Sequence, residues 1–477
     1  MENAPLKGWI ADMLRRQPPD TVWARARTEV TWDTLRTRVT ELERLFELQS
    51  IRPGSTVAVQ MVPSFTYLWT VLALWSRGAQ VILMDPRLTR AEVDRLLNLC
   101  EPRFMISSGS SGAVRVVFQD ECEVQVEVRR TGHTVANPHV LLQFSSGSTG
   151  YPKVIGRTAH SLLAELDAFA ALPQMPKAGE RVLLSNSLTH SFGLIGGFLH
   201  ALRAGATLVF TPNAQPRTLL STLVESQAHV LFGVPFHFEL LTRIADWSPL
   251  PGLRLAVSGG EVISPEVYER FHERYGVRIG QAYGMTETGI IATDLTGRLA
   301  PPAVGHPVPG AEIRMRDGEL QVRADVSPYL YVNDIASRYT DGWLRTNDLA
   351  ALDPETGALS VHGRSDSLVV IGGLKVDLRE VELALAEHPA VTEAVVLFSG
   401  TIEAFVGITK GVTARELQAW CRDRISHFKI PRRFELAPAI PRTSNGKLVR
   451  NRELLLTRMG PSTRSAAAPA GPLGGAR

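Results

Sequence analysis

Short apolar runs from about residue 140 onward alternate with segments of helical spacing, and each run ends in small or polar residues. Runs of branched and aromatic residues are typical of buried strands, whereas apolar residues three or four apart are typical of a helix with one buried face. The alternation therefore predicts an α/β fold with parallel sheets covered by helices. The predicted strands cover residues 140–144, 182–184, 229–234, 253–257 and 277–279.

Polar caps mark two helix starts. Ser264 precedes Pro265 at a first helical position, and Thr413 can form a capping box with Glu416. After residue 360 the pattern changes to an α+β arrangement of about ninety residues, the size of a small domain. The sequence thus predicts a large N-terminal domain over 1–363, a connecting segment over 364–367, a small C-terminal domain over 368–456 and a disordered tail over 457–477.

Composition and charge agree with this organisation and reduce the classes of partner that are expected. The length of 477 residues exceeds what one core usually supports, and hydrophobic residues at 44% with charged residues at 21% are ordinary for a globular protein. The net charge of +3 is spread along the chain, and the longest apolar run, 67–75, is too short to span a membrane. Neither nucleic acid nor a membrane is therefore expected as a partner. The sequence shows no signal-peptide pattern, and its 3 cysteines have neither a disulfide nor a metal-site spacing. A cytoplasmic location is therefore expected.

The densest polar segment is the loop from Ser145 to Lys153, which follows the predicted strand 140–144. Its glycines permit positive φ, so backbone N–H groups can converge on an anion, while its hydroxyls add neutral donors and Lys153 adds charge. The lysine stands three residues after the last glycine, so the loop is not a Walker loop. A flexible surface turn is the alternative. The candidate phosphate-binding residues are Ser145, Ser146, Gly147, Ser148, Thr149, Gly150 and Lys153.

Five further segments carry side chains suited to nucleotide chemistry. Tyr283, Thr286 and Glu287, predicted on a turn after strand 277–279, offer an aromatic platform, a hydroxyl and a carboxylate. Each segment has an ordinary explanation as a surface or capping feature when taken alone. The other four are Asp348, suited to ribose hydroxyls; Gly363-Arg364, a fork of donors; Gly372-Gly373, a glycine pair predicted to enter a helix containing Glu380 and Glu382; and Lys447, on a turn within 441–447.

In this order and spacing, the six segments resemble the superfamily of adenylate-forming (AMP-binding) enzymes. That superfamily includes acyl-CoA and aryl-CoA ligases, the adenylation domains of peptide synthetases and beetle luciferase. The resemblance covers about residues 30 to 455. It implies an N-terminal core that binds ATP and an acid, a small mobile C-terminal lid domain, and Mg²⁺ as a cofactor.

The resemblance also implies a role for each matching residue. The loop 145–153 would hold the β- and γ-phosphates of ATP. Tyr283 would stack on adenine, Thr286 would contact the α-phosphate, and Glu287 would bind Mg²⁺. Further nucleotide contacts would come from Gly260, Glu261, Gly284, Asp348 on the ribose, and Arg364.

In the small domain the resemblance implies motion. Asp366 matches the hinge about which that domain rotates, and Lys447 matches the lysine that bridges the carboxylate and the α-phosphate during adenylation. A carboxylate attacking the α-phosphorus meets negative charge, so catalysis needs cations where that charge develops. Rotation after adenylation would remove Lys447 and bring Gly372 and Gly373 toward a thiol acceptor.

Two positions depart from the family pattern. Val154 stands where most members have glycine, and together with Arg157-Thr158 it resembles the branch that adenylates aryl acids. Asn347 replaces a glycine that is usual before the ribose-binding aspartate, and asparagine is the next best residue at positive φ.

The acid pocket is indicated by His190 and Ser191, which match a segment of acyl- and aryl-acid ligases, with His190 as a catalytic candidate. Ser191 falls where amino-acid adenylating domains place the aspartate that binds the substrate ammonium. Its lack of charge favours an acid without an α-amino group. Core packing of His190 and Phe192 is the alternative. The candidate pocket residues are Ser191, Phe192, Phe232, Phe236, Gly259 and Ile290.

The sequence therefore predicts an acid–thiol ligase that forms acyl-AMP, releases pyrophosphate and passes the acyl group to a phosphopantetheine thiol. The thiol belongs to CoA or to a carrier protein acting in trans. The alternative is a stand-alone adenylation enzyme that loads such a carrier, including one that takes an amino acid. A P-loop phosphotransferase is disfavoured by the position of Lys153, and a silent binding module by the presence of both Glu287 and Lys447.

Overall fold

A computed structural model gives the fold of the chain. It describes residues 3–88, 90–109, 117–145, 153–213, 215–245, 247–331, 338–364, 368–371, 374–409, 411–425, 429–443 and 446–459. Contacts divide the chain into two compact units. The first holds Met1–Thr346 and Ala350–His362, and the second holds Asn347–Leu349 and the residues from Gly363 onward. In the described ranges, no helix has the length and apolar character needed to cross a membrane.

The first unit is built on two sheets, which confirms the predicted α/β fold with a large N-terminal sheet domain. The smaller sheet has 7 strands within the described residues, in the order β18-β8-β7-β4-β3-β5-β6. Its strands are β3 (Thr56–Gln60), β4 (Gln80–Leu83), β5 (Phe104–Ser107), β6 (Gln125–Val128), β7 (His139–Ser145), β8 (Lys153–Thr158) and β18 (Tyr329–Leu330).

The larger sheet has 14 strands in the described part of the chain. Its order is β16-β17-β20-β21-β15-β14-β13-β12-β11-β9-β10-β1-β2, and β19 pairs with β20. Its strands are β1 (Val22–Arg25), β2 (Glu29–Thr31), β9 (Arg181–Leu184), β10 (Thr207–Val209), β11 (Val230–Gly233), β12 (Leu255–Gly259), β13 (Ile279–Met285), β14 (Gly289–Asp294), β15 (Ala303–Pro307), β16 (Ile313–Arg316), β17 (Glu319–Arg323), β19 (Tyr339–Thr340), β20 (Trp343–Leu352) and β21 (Leu359–Arg364).

The centre of the larger sheet is parallel, as the alternating pattern predicted. β9, β11, β12 and β13 run in the same direction, and all five strands predicted from residue 140 onward are present within a few residues of their expected bounds. β14 then returns antiparallel to β13. Parallel neighbours end at the same edge, so the segments that follow β9, β11 and β12 meet there.

Helices cover these sheets and bury a shared core. The core contains α3, whose apolar residues 67–75 are all buried, together with strands of both sheets such as Val57 on β3 and Val182 on β9. Ser264 caps α9 by accepting the N–H of Val267, as its position predicted. The helices are α1 (Ala4–Arg16), α2 (Trp32–Leu48), α3 (Phe65–Ser76), α4 (Arg90–Cys100), α5 (Ala159–Ala170), α6 (His200–Ala204), α7 (Pro216–Glu225), α8 (Pro235–Arg243) and α9 (Pro265–Tyr275), with a π-helix over Phe192–Leu199.

The second unit is a small α+β domain with its own core. α11 begins with the predicted capping box of Thr413 and Glu416, and Cys421 in that helix is fully buried. The elements are β22 (Leu368–Ile371), β23 (Leu374–Asp377), α10 (Leu378–Ala386), β24 (Val391–Phe398), β25 (Ile402–Ile408), α11 (Ala414–Arg422), β26 (Arg433–Ala437) and α12 (Arg452–Met459).

One sequence prediction in this unit is confirmed and another is wrong. The chain after the glycine pair 372–373 enters a helix that contains Glu380 and Glu382, as predicted, with β23 between the pair and α10. The tail was predicted to start at 457, but α12 continues to Met459 because Leu455 is fully buried and Leu456 and Met459 pack on the same core.

Candidate active site

The carboxyl ends of β11, β12 and β13 bring three predicted segments to one edge of the larger sheet. Gly233 pairs in register with Ser258, and Gly259 pairs with Ala282, the residue before Tyr283. Gly260 follows β12 with φ of 89°, a conformation that favours glycine, and it is exposed together with Glu261. This edge is where open α/β sheets place their ligands.

Tyr283 belongs to strand β13 itself, so the prediction that it lies on a turn after the strand is wrong. Antiparallel pairing with β14 extends β13 to Met285, which lies opposite Gly289. A side chain at Gly284 would place its Cβ 2.4 Å from the carbonyl oxygen of Gly289, so the two strands close tightly. Tyr283 is half-buried against the cluster that contains Ile291, and Thr286 and Glu287 form the connection.

Glu287 is joined to the smaller sheet through Tyr329. The Tyr329 hydroxyl donates to Glu287 Oε1 at 3.4 Å, and Tyr329 pairs with Ile155 on β8. Burial, followed by the charge of Glu287, raises the pKa of Tyr329 well above its usual value, so the phenol stays a neutral donor. This contact places the carboxylate beside the strand that begins at Lys153.

The candidate phosphate loop spans the connection between β7 and β8. Ser145 ends β7, Lys153 begins β8, and the two residues pair across the strands. Ser146, Gly147, Ser148, Thr149 and Gly150 lie outside the described residues, as does the side chain of Ser145. The described strand ends therefore fix where the loop leaves and re-enters the sheet.

A buried ion pair links β8 to the start of β14. Arg157 Nη2 donates to Glu165 Oε2 at 2.9 Å, and the two side chains are 2% and 5% exposed. Glu165 Oε1 also accepts the N–H of Ile290 at 3.1 Å. Burial raises the pKa of Glu165, and the charge and hydrogen bond of Arg157 oppose that rise. Arg157, which the sequence associated with aryl-acid enzymes, thus fixes the connection that carries Glu287.

The structure brings His190 together with an aspartate that the sequence reasoning missed. His190 Nε2 lies 3.9 Å from Asp85 Oδ2 and has no hydrogen-bond partner among the described residues. Arg87 forms a bidentate ion pair with Asp85, in which its Nε and Nη2 atoms each donate to one carboxylate oxygen at 2.8 Å. Burial alone would raise the pKa of Asp85, but the hydrogen bonds and charge of Arg87 and the neighbouring His190 hold it below the usual range. The only sequence signal for Asp85 is its place directly after a buried apolar strand.

A second missed residue, Gln143, contacts the segments on both sides of His190. Its Nε2 donates to the carbonyl oxygen of Thr189 at 2.7 Å, and its Oε1 accepts from the Ser191 hydroxyl at 2.7 Å. Gln143 is 1% exposed and Ser191 is 8% exposed. An isolated amide inside the apolar run 140–144 was the available signal, but the sequence did not reveal its partners.

The predicted apolar walls divide into buried and accessible residues. Phe232 and Ile290 are 1% and 9% exposed and belong to the core, whereas Phe192 and Phe236 are partly exposed. The rings of Phe192 and Phe232 meet edge to face at 5.5 Å. A Cβ at Gly259 would lie 2.8 Å from the Phe192 ring, so only glycine leaves room for that ring.

The remaining predicted residues lie on β20 and in the second unit. Asp348 is 7% exposed on β20 and follows Asn347, whose φ of 59° confirms the expected left-handed conformation. Arg364 ends β21, and its side chain lies outside the described part of the chain together with Asp366, Gly372 and Gly373.

Lys447 is exposed on a turn in the second unit. The carbonyl oxygen of Lys447 accepts the N–H of Thr443 at 2.6 Å. Arg442 donates to the carbonyl oxygen of Gly446 at 2.6 Å and to Glu393 at 2.5 Å. The backbone that carries the lysine is therefore held on both sides.

Two family models match separate parts of the chain. The AMP-binding enzyme family matches residues 11–332, and the AMP-binding enzyme C-terminal domain matches residues 380–447. The chain belongs to the AMP-binding enzymes. This membership confirms the resemblance to the adenylate-forming superfamily.

Named relatives of this AMP-binding enzyme cover most of its length. The p-hydroxybenzoic acid–AMP ligase of Mycobacterium tuberculosis is 27% identical, over 93% of this chain and 68% of the relative. The feruloyl-CoA synthase of an Amycolatopsis species is 26% identical, over 94% of this chain and 98% of the relative. The fold resembles that of O-succinylbenzoate coenzyme A synthetase from Bacillus subtilis, solved in complex with ATP and magnesium ion. The TM-score is 0.77 at 23% identity, covering 93% of this chain and 98% of the other.

Proposed function

We propose that this AMP-binding enzyme is an acid–thiol ligase that acts on an aryl or acyl carboxylic acid without an α-amino group. The carboxylate oxygen attacks the α-phosphorus of ATP, the bond to the β-phosphate oxygen breaks, and acyl-AMP and pyrophosphate result. A phosphopantetheine thiol then attacks the acyl carbon, and AMP leaves. The names of the two relatives, which refer to hydroxybenzoic and ferulic acids, favour an aryl substrate.

The observation that carries the proposal is the contact of Glu287 with Tyr329. It sets a half-buried carboxylate next to the strand that begins at Lys153. In this assignment the loop 145–153 binds the β- and γ-phosphates, Tyr283 stacks on adenine, and Thr286 contacts the α-phosphate. Gly260, Glu261 and Gly284 line the same strand edge, and Asp348 with Arg364 receives the ribose.

Glu287 fits a magnesium ion. Mg²⁺ in nucleotide sites is usually held by one or two carboxylates together with phosphate oxygens, and Glu287 supplies a carboxylate held by a neutral donor. When bound, the ion would offset negative charge on the phosphates. Tyr329 would keep Glu287 oriented by donating to its oxygen Oε1.

His190 and Lys447 complete the proposed chemistry. His190 has a ring nitrogen, Nε2, without a hydrogen-bond partner in the described residues, which suits it to contact the acid carboxylate. Lys447 would neutralise the charge that develops between carboxylate and α-phosphate. Asp366 would act as the hinge, and Gly372 and Gly373 would line the path of the thiol. Phe192 and Phe236 are the partly exposed rings that would contact the acid.

The test is exchange of labelled pyrophosphate into ATP, measured with a panel of aryl, fatty and amino acids. We expect exchange that depends on an aryl or acyl acid. Exchange without any acid would overturn the ligase assignment, and preference for α-amino acids would overturn the role given to Ser191. Mass spectrometry of products formed with CoA and with a phosphopantetheinylated carrier protein then identifies the acceptor.

A further inference from the structure

We infer that Gln143 is a positioning residue for acid activation, because it fixes the segment that carries His190 to the strand that enters the phosphate loop. The inference rests on the proposed function and goes beyond it by naming a residue outside the six segments identified from the sequence. Gln143 contacts neither reactant in this proposal. It acts through Thr189 and Ser191.

The contacts of Gln143 leave its amide a single orientation. The Thr189 carbonyl can only accept, so it requires the NH₂ end of the amide at 2.7 Å. The Ser191 hydroxyl then donates to the remaining carbonyl oxygen, also at 2.7 Å. Both bonds are buried, so losing either one leaves a polar group without solvent to replace it. Together they hold the residues before and after His190.

The position of Gln143 on β7 means that these two bonds connect the His190 segment to the strand that enters the phosphate loop. Gln143 is paired with Ile155 on β8, and two residues later Ser145 pairs with Lys153. The segment 189–191 comes from the larger sheet, where it follows β9 and leads into the π-helix. A single side chain thus joins the histidine segment of one sheet to the loop strand of the other.

Asp85 supports the same arrangement from the neighbouring strand. β4 pairs with β7, and Asp85 follows the end of β4. Its Oδ2 atom lies 3.9 Å from His190 Nε2, and Gln60 donates to its backbone carbonyl at 3.3 Å. Asp85 therefore faces the ring of His190, while Gln143 holds the backbone on either side of that histidine. Both residues stand at the carboxyl ends of adjacent parallel strands.

A loosened His190 segment should weaken use of the acid more than use of ATP. Gln143 touches the acid-site segment directly, whereas the loop strand is held by its own backbone ladder with β8. We therefore expect the Gln143→Met variant, whose side chain has similar length but no amide, to show about a tenfold lower kcat/KM for the acid in pyrophosphate exchange. The KM for ATP should change by less than about twofold.

Gln80 offers a matched control on the same sheet. It is 3% exposed, and its Nε2 donates to the carbonyl of His139 at 2.6 Å and to Asn137 at 2.8 Å, at the beginning of β7. Gln80→Met therefore removes a comparable buried amide at the opposite end of the strand. It should lower the thermal denaturation temperature to a similar extent while leaving the KM for the acid unchanged.

Ser191→Ala separates the two bonds of Gln143. This variant keeps the Thr189 contact and should give a smaller loss than Gln143→Met. The double variant should be no worse than Gln143→Met alone, because both changes remove the same bond. Equal changes in the KM values for acid and ATP, or an acid defect of the same size in Gln80→Met, would overturn the inference. Failure of the proposed function is distinct from these outcomes, since the unaltered enzyme would then show no acid-dependent exchange.

Discussion

Single polar side chains buried in apolar surroundings carry much of the organisation of the site. The sequence predicted roles for Lys153, Glu287 and Lys447 because their residue types and order match those of the adenylate-forming enzymes. It could not identify Gln143 or Tyr329, whose partners lie 42 to 48 residues away. A lone polar residue in an apolar run indicates a buried hydrogen bond, but only the fold supplies its partner.

His237 provides a test at the residue scale through its effect on stability. Burial lowers the pKa of His237 to about 4, and its Nδ1 accepts the N–H of Val234 at 3.2 Å. An unfolded histidine has a pKa near 6.5, so the unfolded state binds the proton first as pH falls. The contribution of His237 is therefore complete above pH 6.5 and is lost as the pH decreases toward 4.

We expect His237 to account for a decrease of about 2 kcal/mol in the free energy of unfolding between pH 7 and pH 5. Urea denaturation, followed by fluorescence of the buried tryptophans, measures it. His237→Gln keeps an acceptor but has no titrating group, so its stability should fall less over the same interval. His200, whose pKa burial also lowers to about 4, contributes equally to both proteins. Identical decreases in the two proteins would contradict this prediction.

At the scale of elements, the sequence predicted the parallel strands and the capped helices but not the π-helix over Phe192–Leu199. The strands were predictable because their apolar runs end in turn residues, and α9 because Ser264 and Pro265 mark its start. The π-helix was not, because an apolar segment with several glycines has no distinctive spacing. Close packing requires glycine at position 193, because a Cβ there would lie 2.2 Å from the Ser187 carbonyl oxygen.

Gly193→Ala should therefore disturb the segment that leads to His190. The clash is with backbone, which cannot rotate away, so the substitution should destabilise the protein by about 1–3 kcal/mol. The KM for the acid should rise as well, because Ser187 begins the turn that carries Thr189 and His190. Thermal denaturation and pyrophosphate exchange report the two effects. Gly8→Ala on α1, where a Cβ meets nothing within 4 Å, is the control and should be neutral or stabilising.

For the whole molecule, the sequence predicted an α/β core followed by a small α+β domain, and the structure and family matches confirm that fold class. The change of pattern after residue 360 was sufficient to predict a large and a small domain, because each unit has a core of its own. The end of the second unit was less predictable. α12 has almost no amphipathic pattern in sequence, and only burial of Leu455 reveals its extent.

Lys447→Ala tests the assignment of one half-reaction to a residue of the second unit. In the proposed mechanism the lysine neutralises charge only while acyl-AMP forms. The variant should lose pyrophosphate exchange by at least about 100-fold, yet retain much of the thiol transfer from supplied acyl-AMP. Lys429→Ala, which removes another lysine from the same unit, should keep both half-reactions. Parallel loss of both in Lys447→Ala would indicate a general defect and contradict the assignment.

The Arg157–Glu165 pair has a consequence for building hybrid enzymes. The pair joins β8 to helix α5, and Glu165 also binds the N–H of Ile290 at the beginning of β14. These three stretches therefore cannot be exchanged one at a time. A graft that imported only β8, with a neutral residue at 157, would leave the Glu165 carboxylate buried without its partner, at a cost of about 3–5 kcal/mol. Residues 153–165 should be transplanted as one cassette, with glycine retained at 289, where any Cβ would collide with Glu165.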